Sequence, residues 1–277
     1  MYGTGVRVSE LLALQIEERP EKWQGIERED CELLMDTIMD EMLTAQGEGV
    51  FFSNNRYRYL SQRLKRIGRR AAWTVNEHIK RGGFTPLGYE IRFGTGGTLP
   101  ALAIELENGD KMYLEGRIDR VDILDQENAG YIRIIDYKTG DKKLNLSDAY
   151  YGLSLQLLIY LRAVLGSAHE LQRPILKPAG IFYFKIDDPL IKTESEIKEI
   201  IEQQLAKELK LRGLVLEDVN IVREMDRQIA TYSDIIPVGL KKDDSFYSTS
   251  AVLNEEDFDY LLGHVDNLLK KVSQELV

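Results

Sequence analysis

One stretch decides the fold predicted for this chain: GRIDRVDILDQENAGYIRIIDYKTGDKKLNLSDAYYGLSLQLLIY, Gly116–Tyr160. A β-rich run carries Asp119, and a turn-rich gap separates it from a second apolar run that ends in Asp136 and Lys138. After a polar loop, a helical pattern places Gln156 and the tyrosine four positions later on one helix face. The pattern predicts that two carboxylates, a lysine and a Gln/Tyr pair meet from neighbouring elements.

These residue types point to a divalent metal site. Side chains alternate across a strand, so Asp136 and Lys138 face the same way, and an acid and a lysine buried at a strand end need partners. Mg²⁺ favours a few carboxylate oxygens and keeps several waters, and Asp119 supplies a second carboxylate. With Lys138 orienting or deprotonating water, this predicts a metal-dependent phosphodiesterase site. The alternatives are a simple Asp–Lys ion pair, and a Gln156/Tyr160 pair that only satisfies buried hydrogen bonds.

Composition narrows the class of protein. The chain has 277 residues, 43% of them hydrophobic and 30% charged, which is ordinary for a globular protein. No apolar run approaches the ~18 residues of a membrane span, and the N-terminus lacks the features of a signal peptide, so we expect a cytoplasmic protein with no membrane partner. The net charge of −10 argues against a general nucleic-acid coat, because phosphate binding needs a basic surface. A nuclease with acidic metal ligands and a local basic surface remains compatible with it.

The segment RYRYLSQRLKRIGRR, residues 56–70, is such a local concentration of cations, and we call it the basic stripe. It contains Arg56, Arg58, Arg63, Lys65, Arg66, Arg69 and Arg70. One interpretation is a solvated helix face. The other is a DNA-binding surface that tracks the phosphate backbone beside the active site, with Tyr57 and Tyr59 among the cations.

Periodicity and turn signals predict a mixed α/β fold. The predicted helices are 1–19, 26–43, 54–81, 144–165, 194–212 and 254–276, the last capped by Asn254. The predicted strands are 89–93, 99–106, 111–124 with a bend near Gly116, 131–138 and 175–186. Residues 213–250 are predicted to be irregular, with a short helix near 220–230. This order favours one sheet with helices packed against it.

Three motifs resemble those of the PD-(D/E)XK nuclease superfamily and, within it, the RecB-like branch. GRIDRVD (116–122), IDYKTG (135–140) and QLLIY (156–160) match G-x-x-D-R-x-D, hydrophobic-D-Y-K-T/S-G and Q-x-x-x-Y in the same order. The resemblance implies a restriction-endonuclease-like α/β core, with one mixed central sheet flanked by helices and extra N- and C-terminal helices. It implies a single domain over 1–277, with a helical N-terminal region over 1–85, a nuclease core over 86–190 and a helical C-terminal extension over 191–277.

The resemblance also implies roles for individual residues. Asp119 and Asp136 would bind Mg²⁺ or Mn²⁺, and Lys138 would be the catalytic lysine. The other catalytic residues that it implies are Gln156, Tyr160 and Glu90, the last in YEIRFG.

Further segments resemble the C-terminal nuclease domains of the AddB family, whose members belong to bacterial helicase–nuclease complexes. They are YYGLSLQLLIYL, LRGLVLEDVNIVREMD and SDIIPVGLKKDDSFYSTSAVL. This resemblance implies a fragment of a longer protein, namely a DNA exonuclease that works with an AddA-type partner on single strands from unwound ends, during double-strand-break repair. Two alternatives remain: a nuclease fold that has lost its chemistry and binds DNA or braces a partner, and a RecB-like nuclease acting alone.

Two features of the AddB family are altered in this sequence. The family holds an iron–sulfur cluster with four cysteines, one before and three after the nuclease domain, whereas Cys31 is the single cysteine of this chain. The family also has a metal-binding histidine in an early helix, where Ser9 or a neighbour stands here. His78 either replaces it or is a surface histidine. These differences favour the impaired alternative, and the intact acid–acid–lysine set opposes it.

Overall fold

The computed structural model describes residues 4–19, 22–45, 55–106, 108–189 and 198–276. Its helices are α1 (Thr4–Glu17), α2 (Lys22–Gly25), α3 (Arg28–Ala45), α4 (Asn55–Lys80), α5 (Leu146–Tyr150), α6 (Gln156–Leu165), α7 (Lys198–Glu208), α8 (Val219–Met225) and α9 (Glu255–Leu276). Its strands are β1 (Thr85–Phe93), β2 (Leu102–Glu105), β3 (Lys111–Leu114), β4 (Gly116–Gln126), β5 (Ala129–Lys138), β6 (Leu176–Lys185), β7 (Arg212–Leu216) and β8 (Val252–Leu253). Across these ranges, none of the helices combines the length and apolar character needed to cross a bilayer.

The central sheet has the strand order β1-β4-β5-β6-β7-β8. The pairs β1–β4, β4–β5 and β6–β7 are antiparallel, and β7–β8 is parallel. The N–H of Gly130, near the start of β5, donates to the carbonyl of Ile175, just before β6, at 2.9 Å, so these two strands begin side by side. A separate two-stranded sheet pairs β2 with β3. The predicted fold, a mixed central sheet with flanking, N-terminal and C-terminal helices, is confirmed.

The middle of the sheet is covered on both faces. Ile132, Ile134 and Ile135 of β5 are all buried, which explains the nearly continuous apolar run YIRII. Helix α6 packs on β5 through a stripe of buried leucines that includes Leu157 and Leu161. This packing fixes the start of α6 relative to the end of β5, where the polar motif residues lie.

Two predicted elements are divided in the structure. The predicted strand 111–124 breaks at Glu115: β3 pairs with β2, whereas β4 pairs with β1 and β5. The predicted helix 144–165 is two helices, because Gly152 has φ +79° and ends the first one in a left-handed turn. The expected single elements were therefore wrong at these two points.

The C-terminal region supplies strands that its sequence did not reveal. RGLVL forms β7, where the predicted helix 194–212 ends and the stretch predicted to be irregular begins, and Val252 and Leu253 form β8, between that stretch and the predicted final helix. Five-residue and two-residue strands are too short to show a clear alternation. The predicted short helix near 220–230 is present as α8. Asn254 caps α9 as predicted, since its side-chain oxygen accepts from the N–H of Asp257 at 2.8 Å.

The chain forms two compact units. The first comprises residues 1–81 and 185–210 and contains α1–α4 and α7; the second comprises 82–184 and 211–277 and contains the strands and the other helices. The first unit has its own core, in which α3 packs against α4 and both helices contribute buried residues, among them Ile38 of α3 and Ile79 of α4. The boundaries expected at 85/86 and 190/191 stay a prediction. The loop predicted at 46–52 and the start of the helix predicted at 194 lie outside the described residues.

Candidate active site

The two motif acids are neighbours on adjacent strands. Arg120 of β4 pairs with Ile135 of β5, and the next residues in this register, Asp119 and Asp136, share the opposite face of the sheet. The backbone N–H of Tyr137 donates to Oδ2 of Asp119 at 2.8 Å. The antiparallel pairing of β4 and β5 therefore brings together the acids of the first and second motifs.

Burial and mutual repulsion set the charge state of these acids. Burial, followed by the charge of Asp136, raises the pKa of Asp119 to about 6. Burial also raises the pKa of Asp136, whose side chain is only 1% exposed, against the opposing effect of its ion pair with Lys138. A buried carboxylate and a partly buried one share one close lysine, so this face of the sheet favours an additional cation.

A second lysine lies near the first. The ammonium groups of Lys138 and Lys142 are 5.8 Å and 5.1 Å from the ring centroid of the buried Tyr183. The charge of Lys142 is among the influences that lower the pKa of Asp136. Lys142 was not predicted as a site residue, although its position four residues after Lys138 in KTGDK was a visible signal.

The helix pair of the third motif is formed as predicted. Nε2 of Gln156 donates to the hydroxyl oxygen of Tyr160 at 2.9 Å, which leaves the hydroxyl hydrogen of Tyr160 available to another acceptor. Burial raises the pKa of Tyr160, and the charges of Asp136 and Asp119 raise it further. The hydroxyl therefore stays protonated near the two acids. The catalytic role implied for Gln156 and Tyr160 stays a prediction.

Gly116, the first residue of the first motif, allows a close approach. A Cβ atom there would lie 2.7 Å from the ring of Phe93 and 3.6 Å from Cε1 of Tyr160. Phe93 itself packs edge-on against Tyr160, with ring centroids 6.0 Å apart. Because Gly116 has no side chain, the ring of Phe93 can lie close to its backbone and pack against Tyr160.

Glu90 lies near the acids but is engaged elsewhere. Its side chain is 8% exposed, and Oε2 accepts from Nε of Arg117 at 2.7 Å. Its charge contributes to the raised pKa of Asp119. Glu90 also has φ +50°, a conformation that costs a non-glycine residue energy and that often accompanies a functional site. A catalytic role for Glu90 remains a prediction.

Asp119 and Asp136 fit a magnesium ion that keeps water ligands better than a metal ion whose ligands are all protein side chains. Across the described ranges, no group of three or more His, Cys, Asp or Glu side chains is placed to hold a metal ion. Mg²⁺ often binds through one or two carboxylates, with waters and substrate phosphate oxygens completing its shell. Asp119 and Asp136 can supply those carboxylates, and the excess negative charge between them is what a divalent cation would neutralise.

An iron–sulfur cluster does not fit these 277 residues. Such a cluster needs four thiolates, and the chain has one cysteine. Cys31 is buried in α3, where burial raises the pKa of its thiol to about 12. His78 is 4% exposed, so its interpretation as a surface histidine is wrong; a metal-binding role for it stays a prediction. The side chain of Ser9 lies outside the described residues.

A buried charge cluster lies on the sheet face opposite to Asp119. Asp122, the second acid of the first motif, accepts from Nε and Nη2 of Arg120 at 2.6 and 2.8 Å and from Nε of Arg133 at 2.6 Å. All three side chains are at most 1% exposed. Sequence reasoning missed Arg133, because the pairing of β4 with β5 is what places it opposite Asp122.

The basic stripe lies on α4 in the first unit, and four of its seven cations form ion pairs with acids among the described residues. The pairs are Lys65–Asp40, Arg66–Asp188, Arg69–Asp36 and Arg70–Asp188. Arg56, Arg58 and Arg63 are exposed. Much of the stripe therefore contributes to the packing of its own unit, and its DNA-binding role stays a prediction.

Sequence comparisons show which known proteins this chain resembles. Residues 9–277 match the PD-(D/E)XK nuclease superfamily. The ATP-dependent helicase/deoxyribonuclease B subunit of Alkaliphilus metalliredigens (strain QYMF) is 49% identical over 257 residues, which are 92% of this chain and 22% of that protein. The proteins of the same name from Thermoanaerobacter sp. (strain X514) and Clostridium tetani are each 43% identical, over 95% and 98% of this chain and 23% and 24% of their own lengths. The chain thus spans less than a quarter of the relatives that it matches.

The resemblance proposed from the three motifs is confirmed by these similarities. The motifs lie on β4, β5 and the start of α6, which meet in the second unit. The family match covers nearly the whole chain, including the helices before the sheet and those after it. Because motifs, fold and extended sequence similarity agree, the chain belongs to the PD-(D/E)XK nuclease superfamily.

Proposed function

We propose that this chain is the metal-dependent deoxyribonuclease component of a helicase–nuclease complex and that it acts as an exonuclease. The observation that carries the proposal is the meeting of Asp119, Asp136 and Lys138 on adjacent strands, near the hydroxyl of Tyr160. The name shared by the relatives, helicase/deoxyribonuclease B subunit, supports DNA as the substrate and a protein partner, which we propose to be of the AddA type.

The proposed substrate is a single strand released when a DNA end is unwound. Processing of such ends would serve recombinational repair of double-strand breaks, in the cytoplasm of a bacterial cell. The chain spans under a quarter of its relatives, so unwinding is assigned to the remaining components of the complex.

The residues of the site have complementary tasks in phosphodiester hydrolysis. Asp119 and Asp136 would hold Mg²⁺ or Mn²⁺, which when bound supplies polarisation of the scissile phosphate and a water of lowered pKa. Lys138 lies on the same strand face as Asp136, where its ammonium group offsets phosphate charge and orients the attacking water. Tyr160, oriented by Gln156, has a hydroxyl hydrogen to donate to a phosphate oxygen.

A nuclease assay tests this proposal. The purified chain is incubated with end-labelled single-stranded DNA and Mg²⁺ or Mn²⁺, beside Asp136→Ala and Lys138→Ala. We expect metal-dependent release of nucleotides from the end by the natural chain and a loss of at least about 100-fold in both variants. Lys242→Ala, which changes an exposed lysine far from the three motifs in the sequence, is the matched control and should keep full activity. Cleavage that survives Lys138→Ala and Asp136→Ala would contradict the proposal.

A second candidate is a nuclease fold that binds DNA or braces a partner without cleaving. The observation that favours it is the early-helix position where the family has a metal-binding histidine and this sequence has Ser9 or a neighbour. The same assay separates the two. DNA binding without cleavage in either metal, unchanged by both substitutions, would support the second candidate.

A further inference from the structure

The segment that joins β5 to α6, residues 139–155, exposes an unusual set of apolar side chains, and we call it the connector. It starts directly after Lys138 and ends directly before Gln156, so both of its ends belong to the candidate site. Tyr150 is 52% exposed, Tyr151 74% and Leu153 77%. Large apolar side chains grouped on a surface usually mark a binding site.

The rings of the connector are held in place before any ligand binds. The ring of Tyr150 is stacked on His264 of α9, with centroids 4.5 Å apart and an interplanar angle of 3°. Nε2–H of His264 also donates to the carbonyl of Tyr150 at 2.9 Å. Tyr151 meets Tyr150 edge-on at 5.4 Å, and its N–H donates to the carbonyl of Ser147 at 3.0 Å. Rings fixed in this way lose little conformational entropy when a ligand stacks on them.

The connector also carries an exposed cation close to the catalytic lysine. Lys142 lies over the ring of Tyr183, the same ring that Lys138 approaches. The neighbouring acid Asp141 is ion-paired with Arg212. The chain as a whole has a net charge of −10, so two lysines close together near the site form a local positive charge that differs from the average of the molecule.

We infer that the connector binds the substrate strand, with Lys142 on a backbone phosphate and Tyr150 and Tyr151 stacking on unpaired bases. The inference rests on the proposed function and deepens it by naming the residues outside the acid–acid–lysine set that would hold the single strand. Stacking platforms combined with backbone cations are the usual means of holding single strands, because every base has a flat face. In a duplex those faces are covered by neighbouring bases, so the platform favours a single strand. The lysines beside the rings favour DNA as the ligand, because its phosphates would contact them. A protein could bind the exposed rings without contacting Lys142.

Equilibrium binding without cleavage tests the inference. The full chain is titrated into a labelled 20-nucleotide poly-dT strand, and separately into a duplex of the same length, in buffer containing EDTA, with fluorescence anisotropy as the readout. We expect Tyr150→Leu/Tyr151→Leu to weaken single-strand binding about tenfold and duplex binding less than about twofold. Tyr113→Leu, an exposed tyrosine of β3, is the matched control and should leave both affinities unchanged.

The lysine is tested by the salt dependence of the same titration. Lys142→Ala should reduce the slope of log K against log salt by about 0.7, the value for one phosphate contact on a single strand, whereas Lys242→Ala, an exposed lysine outside the connector, should not. Tyr151→Leu alone is a second variant, and we expect it to fold because the ring that it removes is exposed. When a 2-aminopurine base is placed in the strand, this variant should quench its fluorescence less than the natural chain does.

The outcomes of the inference and of the proposed function are distinguishable. Unchanged affinity and salt slope in all connector variants would overturn the inference and would assign the exposed rings to a protein surface, even if the chain cleaves DNA. Equal loss of single-strand and duplex binding would also overturn it. A chain that binds single strands through the connector but cleaves nothing in Mg²⁺ or Mn²⁺ would overturn the proposed function and support the inference.

Discussion

The backbone N–H of Tyr137 donates a 2.8 Å hydrogen bond to the carboxylate of Asp119. This bond joins the acid of the first motif to the residue between the acid and the lysine of the second. It also means that an asparagine at position 119 would keep an acceptor for Tyr137 while losing the negative charge. Charge and structure at this site can therefore be altered separately.

Asp119→Asn should change how stability depends on pH in metal-free protein. The folded pKa of Asp119, about 6, lies above its ordinary value of 3.8, so the protonated form is favoured by folding. Its stabilising contribution is complete below the unfolded pKa and is lost as pH rises through the folded pKa. Relative to the natural chain, Asp119→Asn should therefore gain about 2 kcal/mol between pH 4.5 and pH 7.5. Urea unfolding in EDTA at both pH values measures this.

Glu127→Gln, in the exposed turn between β4 and β5, is the control for this comparison. It should show no such gain. A constant difference between Asp119→Asn and the natural chain across the range would contradict the predicted charge repulsion.

Divalent metal should stabilise the folded chain through Asp119 and Asp136. Mg²⁺ or Mn²⁺ at ten times its Kd should raise the free energy of unfolding by about 1.4 kcal/mol, and EDTA should reverse the effect. The stabilisation should be weaker at pH 5 than at pH 8, because protons compete for Asp119. Thermal unfolding with and without metal is the measurement. If Asp119→Asn and Asp136→Asn gained as much as the natural chain, the assignment of the metal to these acids would be wrong.

Tyr160→Phe should lower activity more than stability. The substitution keeps the edge-on contact with Phe93 but removes the hydroxyl that accepts from Gln156. We expect a loss of about tenfold in kcat/KM and of about 1 kcal/mol in the free energy of unfolding. Steady-state kinetics and urea unfolding give the two values. Tyr160→Leu, which also loses the aromatic contact, should be clearly less stable; equal stability of the two variants would argue against a packing role for the ring.

The buried cluster around Asp122 should respond unequally to removal of its members. Asp122→Asn leaves two buried guanidinium groups without a carboxylate and should cost about 3–5 kcal/mol. Arg133→Met should cost less than Arg120→Met, because Arg120 makes two hydrogen bonds to Asp122, whereas Nη1 and Nη2 of Arg133 have no hydrogen-bond partner within the described residues. Urea unfolding of the three variants ranks them. An Arg133→Met variant as unstable as Asp122→Asn would refute this ranking.

In the basic stripe, the exposed cations should bind DNA more than the paired ones. Arg56→Ala/Arg58→Ala should weaken single-strand binding and reduce the salt slope by about 0.7 per lost phosphate contact. Lys65→Ala/Arg69→Ala, whose side chains pair with Asp40 and Asp36, should mainly reduce stability. Anisotropy titrations and urea unfolding of both double variants make the comparison. If Lys65→Ala/Arg69→Ala weakened DNA binding more than Arg56→Ala/Arg58→Ala, the prediction would be wrong. That result would mean that the ion pairs of Lys65 and Arg69 break when DNA binds.

The residues whose positions follow from strand and helix periodicity were predictable. Asp119, Asp136 and Lys138 share a sheet face because β4 and β5 alternate and pair, and Gln156 meets Tyr160 because helical neighbours lie four positions apart. The sequence carries these rules locally. The central site could therefore be assembled from one continuous stretch of 45 residues.

What the sequence did not reveal depends on contacts between distant segments. Arg66 pairs with Asp188, which lies 122 positions later in the sequence. The residues around each of them contain no signal that predicts this pairing. His78 is likewise buried, although its own sequence surroundings are compatible with a surface position. Strand β8 exists because two residues lie beside β7, which supplies the hydrogen bonds that its own length cannot.

The missing side chain of Gly116 has a consequence for how variants of this protein should be interpreted. Even a methyl group there would press on Phe93, and Phe93 would pass the displacement to the ring of Tyr160. Such a change would leave every acid and lysine intact and would still disturb the hydroxyl of Tyr160, which lies near the two acids. A survey of variants that considers only charged positions would count a Gly116 variant as active. Such a variant would keep its charged residues but would lose the space next to position 116 that the ring of Phe93 occupies.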